Sequence, residues 1–444
     1  MYTIGQILKN QIASEYTYEG MGAIRKETYS IFVYGLLEGE EADIKITKAN
    51  SKYAFAEIDK LHKKSPLRTL DFNDDLMKTG ANPLAILPYE EQLKFKDNVV
   101  SYLLKRQLNK ELSKPIVPSK KQWHYRNKVV VFLEKQKIYK MGLLRRNSHK
   151  IIEIKDYKLA NEKINDILKW ISFNINNFTF ETEITTIALR YSEENDATQV
   201  IFVTKSKNKI NTDFLNSLKE KFPYIQSIMH NIKNLKNKDD LLGVEWKNIF
   251  GENYITEKLK NFKFDILWNA FFQVNKYQAV SMFENLVSKL ELNTDDIVLD
   301  AYCGTGTITS FLAQKAQKVI GIDISEASIQ NAINSKQINN IPNVDFYCGD
   351  VDKTIKELKK QNKMNFSCIV MDPPRSGITD DFIKTIDFVK PKKLGYISCN
   401  PHTLIRDLVK LEKIGYEVVF IQNHDMFPQT NHIETVTFLI KKED

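Results

Sequence analysis

Cysteine is scarce in this chain of 444 residues, and its distribution argues against two kinds of stabilising site. All four cysteines lie in the last third of the sequence, without CxxC spacing: Cys303, Cys348, Cys368 and Cys399. We therefore expect neither a disulfide framework nor a closed zinc site. A reducing cytoplasm is the predicted location.

Long apolar runs are also missing. No stretch approaches the roughly 20 apolar residues that a membrane-spanning helix needs. The first segment, MYTIGQILKNQIASEYTYEG, has no basic patch leading into an apolar stretch, so we predict no secretory signal. Hydrophobic residues make up 42% of the chain and charged residues 27%, which indicates a globular protein of two or three domains. We expect a monomer that does not associate with a membrane.

Positive charge is concentrated in one block of the sequence. Residues 101–150 contain 14 Lys and Arg against 2 Asp and Glu, whereas the whole chain has a net charge of +8. Trp123, Tyr125 and Tyr139 are interspersed among these cations. Cations neutralise phosphates and aromatic faces stack on unpaired bases, so this mixture favours RNA binding. A solvated surface of a lysine-rich protein is the alternative.

The sequence divides into three regions of different pattern. Residues 1–62 contain short strand-like runs with glycine turns, which predicts a small OB-like β-barrel. Residues 63–262 mix strand-like runs (VVVFLEK, TTIALRYS, QVIFVTKS) with helical ones, the clearest of which starts after Pro88. This predicts a central α+β domain.

Regular alternation begins at about residue 263. The strand-like runs DIVLDAYC, KVIGIDI, VDFYCGD, FSCIVMD and KLGYISC are separated by helical stretches. Such βαβ units predict a parallel sheet, and therefore a Rossmann-like α/β domain over 263–444. The last two runs, EVVFIQNHD and ETVTFLIKK, are separated by a loop too short for a parallel crossover. They should pair antiparallel at one end of the sheet.

A glycine turn at the end of the first of these strands predicts a nucleotide-type cofactor. Gly304 and Gly306 follow the strand and open a helix, and the next strand ends at Asp323, where a carboxylate can accept both ribose hydroxyls. The NAD fingerprint requires a third glycine where this chain has Thr309. Asp300 before the turn suits a cationic cofactor better than an anionic one. S-adenosylmethionine is thus favoured over NAD, and glycines that serve only the turn are the remaining alternative.

Three clusters at strand ends should meet at the same edge of the sheet. They are Asp372-Pro-Pro-Arg375, Ser398-Cys399-Asn400-Pro401, and a tail containing His424 and Glu434. Methylases of exocyclic amines usually have an aromatic residue at the position of Arg375. Carbon 5 of uracil is a poor nucleophile, so its methylation needs a thiolate that adds to carbon 6 and a base that later removes the carbon 5 proton.

Cys399 and Glu434 are the candidates for these two roles. Cys399 ends a strand, where a thiol can be partly exposed and activated, although a free cysteine is most often a small buried hydrophobe. We expect Cys303, Cys348 and Cys368 to be small buried hydrophobic residues without a catalytic role. Glu434 opens an apolar strand, where a merely buried carboxylate would be costly; a solvated side chain is the alternative.

In these residues the chain resembles the RNA uracil-5 methyltransferases. The resemblance covers nearly the whole chain: TYEGMGAI and LLEGEEADIKIT resemble the TRAM domain, and HYRNK and GLLRRNSHKIIEI the central RNA-binding domain. FFQVN, DAYCGTGT, DPPRSG, SCNP and DMFPQTNHIET follow in the order of the catalytic domain. It implies a TRAM domain at 1–62, an RNA-binding domain at 63–262 and a class I methyltransferase domain at 263–444.

The resemblance also implies roles for individual residues. Cys399 would be the nucleophile and Glu434 the base. The residues implied to contact S-adenosylmethionine are Gln273, Tyr302, Thr307, Asp323, Asp350 and Asp372, beside the turn glycines Gly304 and Gly306. Phe271 would help to hold the flipped uridine, and Arg126 and Lys128 would lie near RNA.

The sequence departs from the family in one respect. Ribosomal members often carry cysteines for an iron–sulfur cluster, but the corresponding stretch, DDLMKTGANPLAILPYEEQ, has none, and Tyr157 stands where the last would be. Such a cluster needs thiolates, so we predict no cluster and no metal.

The resemblance favours 23S rRNA as the substrate, because tRNA-specific bacterial members usually lack a TRAM domain. A tRNA T-loop enzyme is the nearest alternative. A 5-methylcytidine enzyme is disfavoured, since those enzymes have a cysteine where Pro374 stands here. A non-catalytic RNA-binding assembly factor is the alternative from another functional class.

Overall fold

A computed structural model describes residues 2–71, 74–233, 241–360 and 365–442. They form two compact units, each built from several segments. The first unit comprises Met1–Val99, Gly142–Ile154 and Phe427–His432, and the second Val100–Met141, Lys155–Met426 and Ile433–Asp444. Within the described ranges, no helix is both long and apolar enough to cross a bilayer.

A six-stranded sheet dominates the first unit. Its strands are β1 (Ile7–Ile12), β2 (Glu15–Tyr16), β3 (Met21–Lys26), β4 (Tyr29–Tyr34), β5 (Glu41–Ala49) and β6 (Tyr53–Lys63), in the spatial order β1-β5-β6-β4-β3-β2. In β4, Ile31 and Val33 are fully buried, whereas Phe32 and Tyr34 between and after them remain partly exposed. This alternation is that of a sheet with one face on the core. The predicted N-terminal β domain is confirmed.

Two helices follow: α1 (Asp75–Thr79) and α2 (Tyr89–Leu108). The start of α2 directly after Pro88 confirms the sequence prediction. Val100 and Leu104 are fully buried, as expected for residues that recur on one face of a helix.

The middle of the chain is a mixture of strands and helices, as predicted. Its elements are β7 (Lys128–Lys135), β8 (Tyr139–Leu144), β9 (Ile151–Glu153), α3 (Glu162–Asn174), β10 (Ile184–Ser192), β11 (Ala197–Thr204), α4 (Thr212–Lys221), β12 (Ile225–Ile232), β13 (Glu245–Gly251), β14 (Tyr254–Leu259) and β15 (Phe262–Leu267). A 3-10 turn at Ile175–Asn177 follows α3. Strands β13-β12-β11-β10-β7-β8 are neighbours in that order, and β14 pairs with β15. The end of β8 forms a hairpin with β9 in the first unit.

The last region is an α/β fold. Its elements are α5 (Lys276–Leu290), β16 (Ile297–Ala301), α6 (Thr307–Ala313), β17 (Lys318–Asp323), α7 (Glu326–Ile338), β18 (Val344–Cys348), α8 (Val351–Lys360), β19 (Cys368–Met371), α9 (Asp380–Val389), β20 (Lys393–Ser398), α10 (Pro401–Lys413), β21 (Tyr416–His424) and β22 (Glu434–Lys441). The sheet order is β18-β17-β16-β19-β20-β22-β21, in which β22 alone runs antiparallel to its neighbours.

The central strands of this sheet are buried on both faces. All four residues of β19, Cys-Ile-Val-Met, are buried, because helices cover both faces of a parallel sheet. The alternating strands and helices, and the antiparallel pairing of the last two strands, confirm the predicted fold class. The domain limits at 62/63 and 262/263 stay predictions.

Candidate active site

The carboxyl edge of the α/β sheet brings together the ends of its parallel strands. β16 ends at Ala301, β17 at Asp323, β19 at Met371 and β20 at Ser398. Because β22 runs antiparallel, its first residue, Glu434, lies at the same edge. Ligands of open parallel sheets bind at this edge, so the strand-end clusters found in the sequence share one location.

A glycine turn after β16 holds the carboxylate at the end of β17. The backbone N–H of Gly304 donates a hydrogen bond to Oδ2 of Asp323 (3.0 Å), and that of Ser325 donates to Oδ1 (2.8 Å). An ionised carboxylate has about four acceptor positions. The two backbone bonds therefore fix the orientation of Asp323 and leave acceptor capacity for the hydroxyls of a ligand.

The two glycines of this turn serve different purposes. At Gly306 (φ 76°) an added Cβ would lie 2.9 Å from the Phe346 ring and 3.1 Å from Cβ of Ala332. At Gly304 (φ 54°) an added Cβ would meet no described atom within 4 Å. Gly306 thus permits close packing, whereas the backbone at Gly304 borders open space. Both positive φ angles favour glycine.

Tyr302, Thr307 and Asp350 surround the same turn. Tyr302 has a φ of 63°, which is unusual for a residue with a side chain, and Thr307 is the first residue of α6. The N–H of Gly349 donates to the backbone oxygen of Asp323 (3.0 Å), which brings the exposed Asp350 close to that strand end.

Two desolvated carboxyl groups lie at this edge. Burial raises the pKa of Asp300 to about 7, although Oγ1 of Thr309 donates a hydrogen bond to it (2.5 Å) and so favours the ionised form. Burial likewise raises the pKa of Asp372 to about 7. Both groups are therefore partly protonated near neutral pH, which limits the negative charge of the site.

The register of β20 and β22 brings the predicted nucleophile beside the predicted base. Ser398 and Thr435 are Cα partners in this antiparallel pair. Cys399 follows Ser398 and Glu434 precedes Thr435, so the two lie next to each other. Cys399 is partly exposed and Glu434 is buried.

The thiol of Cys399 is not activated in the free site. Burial, together with the carboxyl groups of Glu434 and Asp372, raises its pKa to about 11. Burial also raises the pKa of Glu434 well above its usual value. The Arg375 guanidinium lowers both pKa values. The activation expected from the strand-end position is therefore absent, because desolvation and two carboxyl groups outweigh one cation.

A hydrogen-bond network holds Arg375 at the start of α10. The side-chain amide of Asn400 donates to the carbonyl of Arg375 (3.1 Å), and the Thr403 hydroxyl donates to the same oxygen (3.2 Å). The fully buried Asp407 accepts bonds from the N–H of Ile378 (3.0 Å) and the hydroxyl of Tyr396 (2.8 Å). The loop that carries the cation is thus tied to the helix that follows Cys399.

Two polar side chains, the buried Arg190 and the partly buried Asn127, anchor the segment Ala270–Asn275. Arg190 donates to the carbonyl of Ala270 (2.7 Å), and the side-chain amide of Asn127 donates to the carbonyl of Gln273 (3.3 Å). Phe271 is left 73% exposed, so its ring is accessible to a ligand.

This segment is also tied to the end of the sheet. The Asn275 side chain donates to the carbonyl of Met426 (3.1 Å), and Met426 lies two residues after His424, the Cα partner of Glu434. Phe271 and Gln273 are therefore brought towards the same edge as Glu434.

Arg126 and Lys128 lie on the neighbouring chain segment. The guanidinium of Arg126 lies 5.9 Å from the Tyr125 ring centroid. Burial, together with the charge of Arg190, lowers the pKa of Lys128 to about 8. The structure therefore gives both predicted RNA-contacting cations positions beside residues that anchor the Ala270–Asn275 segment.

Comparison with known proteins identifies the family. A sequence model of the tRNA (uracil-5-)-methyltransferases matches residues 88–442, and one of the TRAM domain matches 14–58. The chain is 34% identical to an RNA methyltransferase of Oceanobacillus iheyensis, covering 98% of this chain and 97% of that one. Identity to one from Enterococcus faecalis is 32%, with 96% of each covered.

The chain belongs to the tRNA (uracil-5-)-methyltransferase family. It is an S-adenosylmethionine-dependent RNA uracil-5 methyltransferase with an N-terminal TRAM domain, as the resemblance implied. A solved structure supports the fold: the tRNA (uracil-54, C5)-methyltransferase of Pyrococcus abyssi, in complex with S-adenosyl-L-homocysteine, superposes with a TM-score of 0.75. It is 25% identical, and the match covers 97% of this chain and 100% of that one.

The segment that would hold the iron–sulfur ligands contains no cysteine in this methyltransferase. Among the residues that the structure describes, no group of three or more His, Cys, Asp or Glu could hold a metal ion. Tyr157, at the position expected for the last cluster cysteine, is buried.

Sequence reasoning missed several residues that shape the site. From the sequence, Arg375 is interpreted only as a residue that is not aromatic, although a cation directly after Asp-Pro-Pro is itself a usable signal. Arg190 is a charge inside the apolar run TTIALRYS, and its burial indicates a specific partner. Ile324 follows Asp323 and is 76% exposed, but a single exposed apolar residue gives no signal in a sequence.

Proposed function

We propose that this methyltransferase forms 5-methyluridine in 23S rRNA, with Cys399 as the nucleophile and Glu434 as the base. The observation that carries the proposal is the β20–β22 register, which makes a partly exposed cysteine and a buried glutamate neighbours at the carboxyl edge of the sheet. A thiol and a carboxyl group at one site are the two groups that carbon 5 methylation requires.

The reaction balances with these two side chains. The thiolate of Cys399 would add to carbon 6 of uracil and push electron density to carbon 5. Carbon 5 would then take the methyl group as the S–CH3 bond of the sulfonium donor breaks, with the electron pair of that bond left on sulfur. The Glu434 carboxylate then removes the proton from carbon 5. The electrons of that C–H bond restore the C5–C6 double bond and release the thiolate. Arg375 favours the ionised forms of both side chains.

The residues around the glycine turn fit S-adenosylmethionine, which supplies the methyl group when bound. Asp323 retains acceptor capacity for ribose hydroxyls, and the space beside Gly304 admits a ligand. We assign the rest of the contacts to Gln273, Tyr302, Gly306, Thr307, Asp350 and Asp372. Ile324, exposed beside Asp323, is the residue we add, as an apolar surface for the adenine ring.

Three residues are proposed to contact RNA near the target. The exposed ring of Phe271 can stack on the flipped uracil, because every base offers a π-face. Arg126 and Lys128 can neutralise phosphates. The lowered pKa of Lys128, about 8, would rise again when a phosphate is bound, because an opposite charge favours the ammonium form.

The choice between rRNA and tRNA rests on the TRAM domain. A match to that domain supports rRNA, by the family pattern that tRNA-specific bacterial members usually lack it. A tRNA T-loop substrate is the second candidate, since the Pyrococcus abyssi protein of similar fold is a tRNA uracil-54 enzyme.

One experiment tests the product and the substrate together. RNA from a strain that lacks the protein is separated into rRNA and tRNA and incubated with the enzyme and tritiated S-adenosylmethionine. Nucleoside analysis should find the label in 5-methyluridine from 23S rRNA. Label in the tRNA fraction would select the second candidate, label in 5-methylcytidine would refute the uridine chemistry, and no label would favour a binding protein.

The raised pKa of Cys399 predicts the pH dependence of its alkylation. Iodoacetamide reacts with the thiolate, whose fraction rises roughly tenfold per pH unit below the pKa. Because burial and two carboxyl groups raise that pKa to about 11, alkylation of Cys399 should still accelerate between about pH 7 and pH 10. Peptide mass spectrometry in a Cys348→Ala background measures it. Arg375→Gln should slow the reaction at every pH, and a plateau near pH 8 would contradict the assigned surroundings.

Lysines of the basic block should contribute to RNA affinity through phosphate contacts. Lys135, Lys137 and Lys140 are exposed where β7 meets β8. Replacing all three by Gln should weaken binding of single-stranded RNA and reduce the slope of log affinity against log salt by roughly 2, at about 0.7 per lost contact. Fluorescence anisotropy at several salt concentrations measures this slope. The matched control replaces Lys315, Lys384 and Lys413, which lie outside the block; an equal change in both variants would refute the role of the block.

A further inference from the structure

The outward face of β4 and β6 carries aromatic rings where a solvated sheet face usually carries polar side chains. Alternate residues of both strands point into the buried core of the first unit. The residues between them point outwards and include four rings: Phe32, Tyr34, Tyr53 and Phe55. We call these four rings the aromatic platform.

The aromatic platform is one continuous surface. Phe55 stacks on Tyr34 with ring centroids 6.1 Å apart and planes at 9°. Its centroid lies 5.9 Å from Phe32 and 5.5 Å from Tyr53. The rings of all four residues are partly or largely exposed, so their surface remains accessible.

Two guanidinium groups border the platform. The Arg146 guanidinium lies 4.2 Å from the ring centroid of Tyr34, and that of Arg25 lies 5.5 Å from Phe32. Such cation–π contacts hold positive charge against the rings of Tyr34 and Phe32, so that the cations themselves form part of the surface that a base or a phosphate would meet.

Further cations lie beside these rings. Lys45 and Lys48 are exposed on β5, where their Cα partners are Glu57 and Phe55 of β6. Arg145 forms an ion pair with Glu57. Glu57 and Glu15, the ion-pair partners of Arg145 and Arg25, contribute two negative charges. The cations named here outnumber them, so the surroundings of the platform are positively charged.

We infer that the aromatic platform binds consecutive unpaired bases of the RNA substrate, while the surrounding cations contact their phosphates. Aromatic cross-strand pairs also stabilise sheets, but that role requires neither exposed rings nor a surrounding group of cations. Stacked rings bordered by cations are the chemistry that recognises single strands, because a duplex hides its base faces. The rings have room for about two bases. The inference rests on the proposed RNA substrate and adds a second contact to it.

Binding of oligoadenylate to the full chain tests this inference. This probe contains no uracil for Cys399, and a length of about ten nucleotides suits a site of this size. Tyr53→Leu/Phe55→Leu keeps apolar side chains but removes two stacking faces, so the Kd for fluorescein-labelled oligoadenylate should rise about tenfold or more. Affinity for duplex RNA should not change. With cellular RNA as substrate, KM should rise while kcat stays the same.

Two control variants separate stacking from folding. Tyr53→Phe/Phe55→Tyr keeps both rings and should retain the affinity of the unchanged protein. Phe173→Leu removes an exposed ring elsewhere and should have no effect. Circular dichroism melting checks the fold of each variant.

The outcomes distinguish this inference from the proposed function. Unchanged oligoadenylate affinity in Tyr53→Leu/Phe55→Leu overturns the inference, even if 5-methyluridine is formed normally. Equal losses in the ring-retaining variant overturn it as well. Unchanged RNA affinity with weaker binding to ribosomal particles would assign the surface to a protein partner instead. Absence of methyl transfer by the unchanged protein would refute the proposed function, whatever the platform binds.

Discussion

Replacing Cys399 by alanine is expected to abolish methyl transfer, with a loss of at least about a thousandfold in rate. Without the sulfur no group adds to carbon 6, and carbon 5 of uracil stays too weak a nucleophile. Tritium transfer from S-adenosylmethionine to RNA measures the effect. RNA affinity should remain, because one small, partly exposed side chain contributes little to a large interface.

Cys348→Ala is the matched control for this substitution. Cys348 is exposed at the end of β18, so the expectation that it is a small buried hydrophobe is wrong; we assign it no part in the reaction. Its variant should methylate RNA as the unchanged protein does. Residual transfer in Cys399→Ala above about a thousandth of the normal rate would mean that another group acts as nucleophile, and the proposed mechanism would be wrong.

Replacing Glu434 by glutamine should trap the enzyme on its substrate. Addition of the thiolate and methylation of carbon 5 both precede the step assigned to Glu434. A neutral amide cannot take the proton from carbon 5, so the double bond cannot re-form and the thiolate cannot leave. We expect a protein–RNA adduct that survives denaturing electrophoresis and carries the tritium label.

Two further variants make this result specific. The double variant Cys399→Ala/Glu434→Gln should form no adduct, because the sulfur that makes the bond is gone. Glu417→Gln, at an exposed position near the start of β21, should turn over normally, because Glu417 pairs with Ile440, at the opposite end of β22 from Glu434. Normal turnover in Glu434→Gln, or an adduct that persists without Cys399, would show that the proton is removed by another group.

The positions of the strands in the sequence could be predicted because local patterns of apolar residues determine them. The continuous apolar runs from DIVLDAYC to KLGYISC became β16–β20, and the residues that end these strands became the edge of the site. Gly306 illustrates why a short motif was informative. The turn needs a positive φ, and the ring of Phe346 leaves no room for a side chain. Both constraints leave a visible glycine in the sequence.

The electrostatics of the site could not be predicted in the same way. The sequence places Cys399 at a strand end but contains no information on how close Glu434 and Asp372 come to it. Both carboxyl groups belong to other strands, and their effect on the pKa of the thiol depends on tertiary distance and desolvation. The sequence could not show that Arg190 and Asn127 anchor the segment Ala270–Asn275, because these hydrogen bonds join residues that are distant in the chain.

The pairing of β22 with β20 means that a change of register can remove the activity without disrupting the fold. Side chains alternate between the two faces of a strand, so a slip of one residue would turn Glu434 away from Cys399 while leaving the backbone ladder nearly complete. An insertion between Met426 and Glu434 could thus yield a folded, RNA-binding but inert protein. Intact secondary structure is therefore insufficient proof of a competent enzyme, and variants of this connection should be judged by turnover.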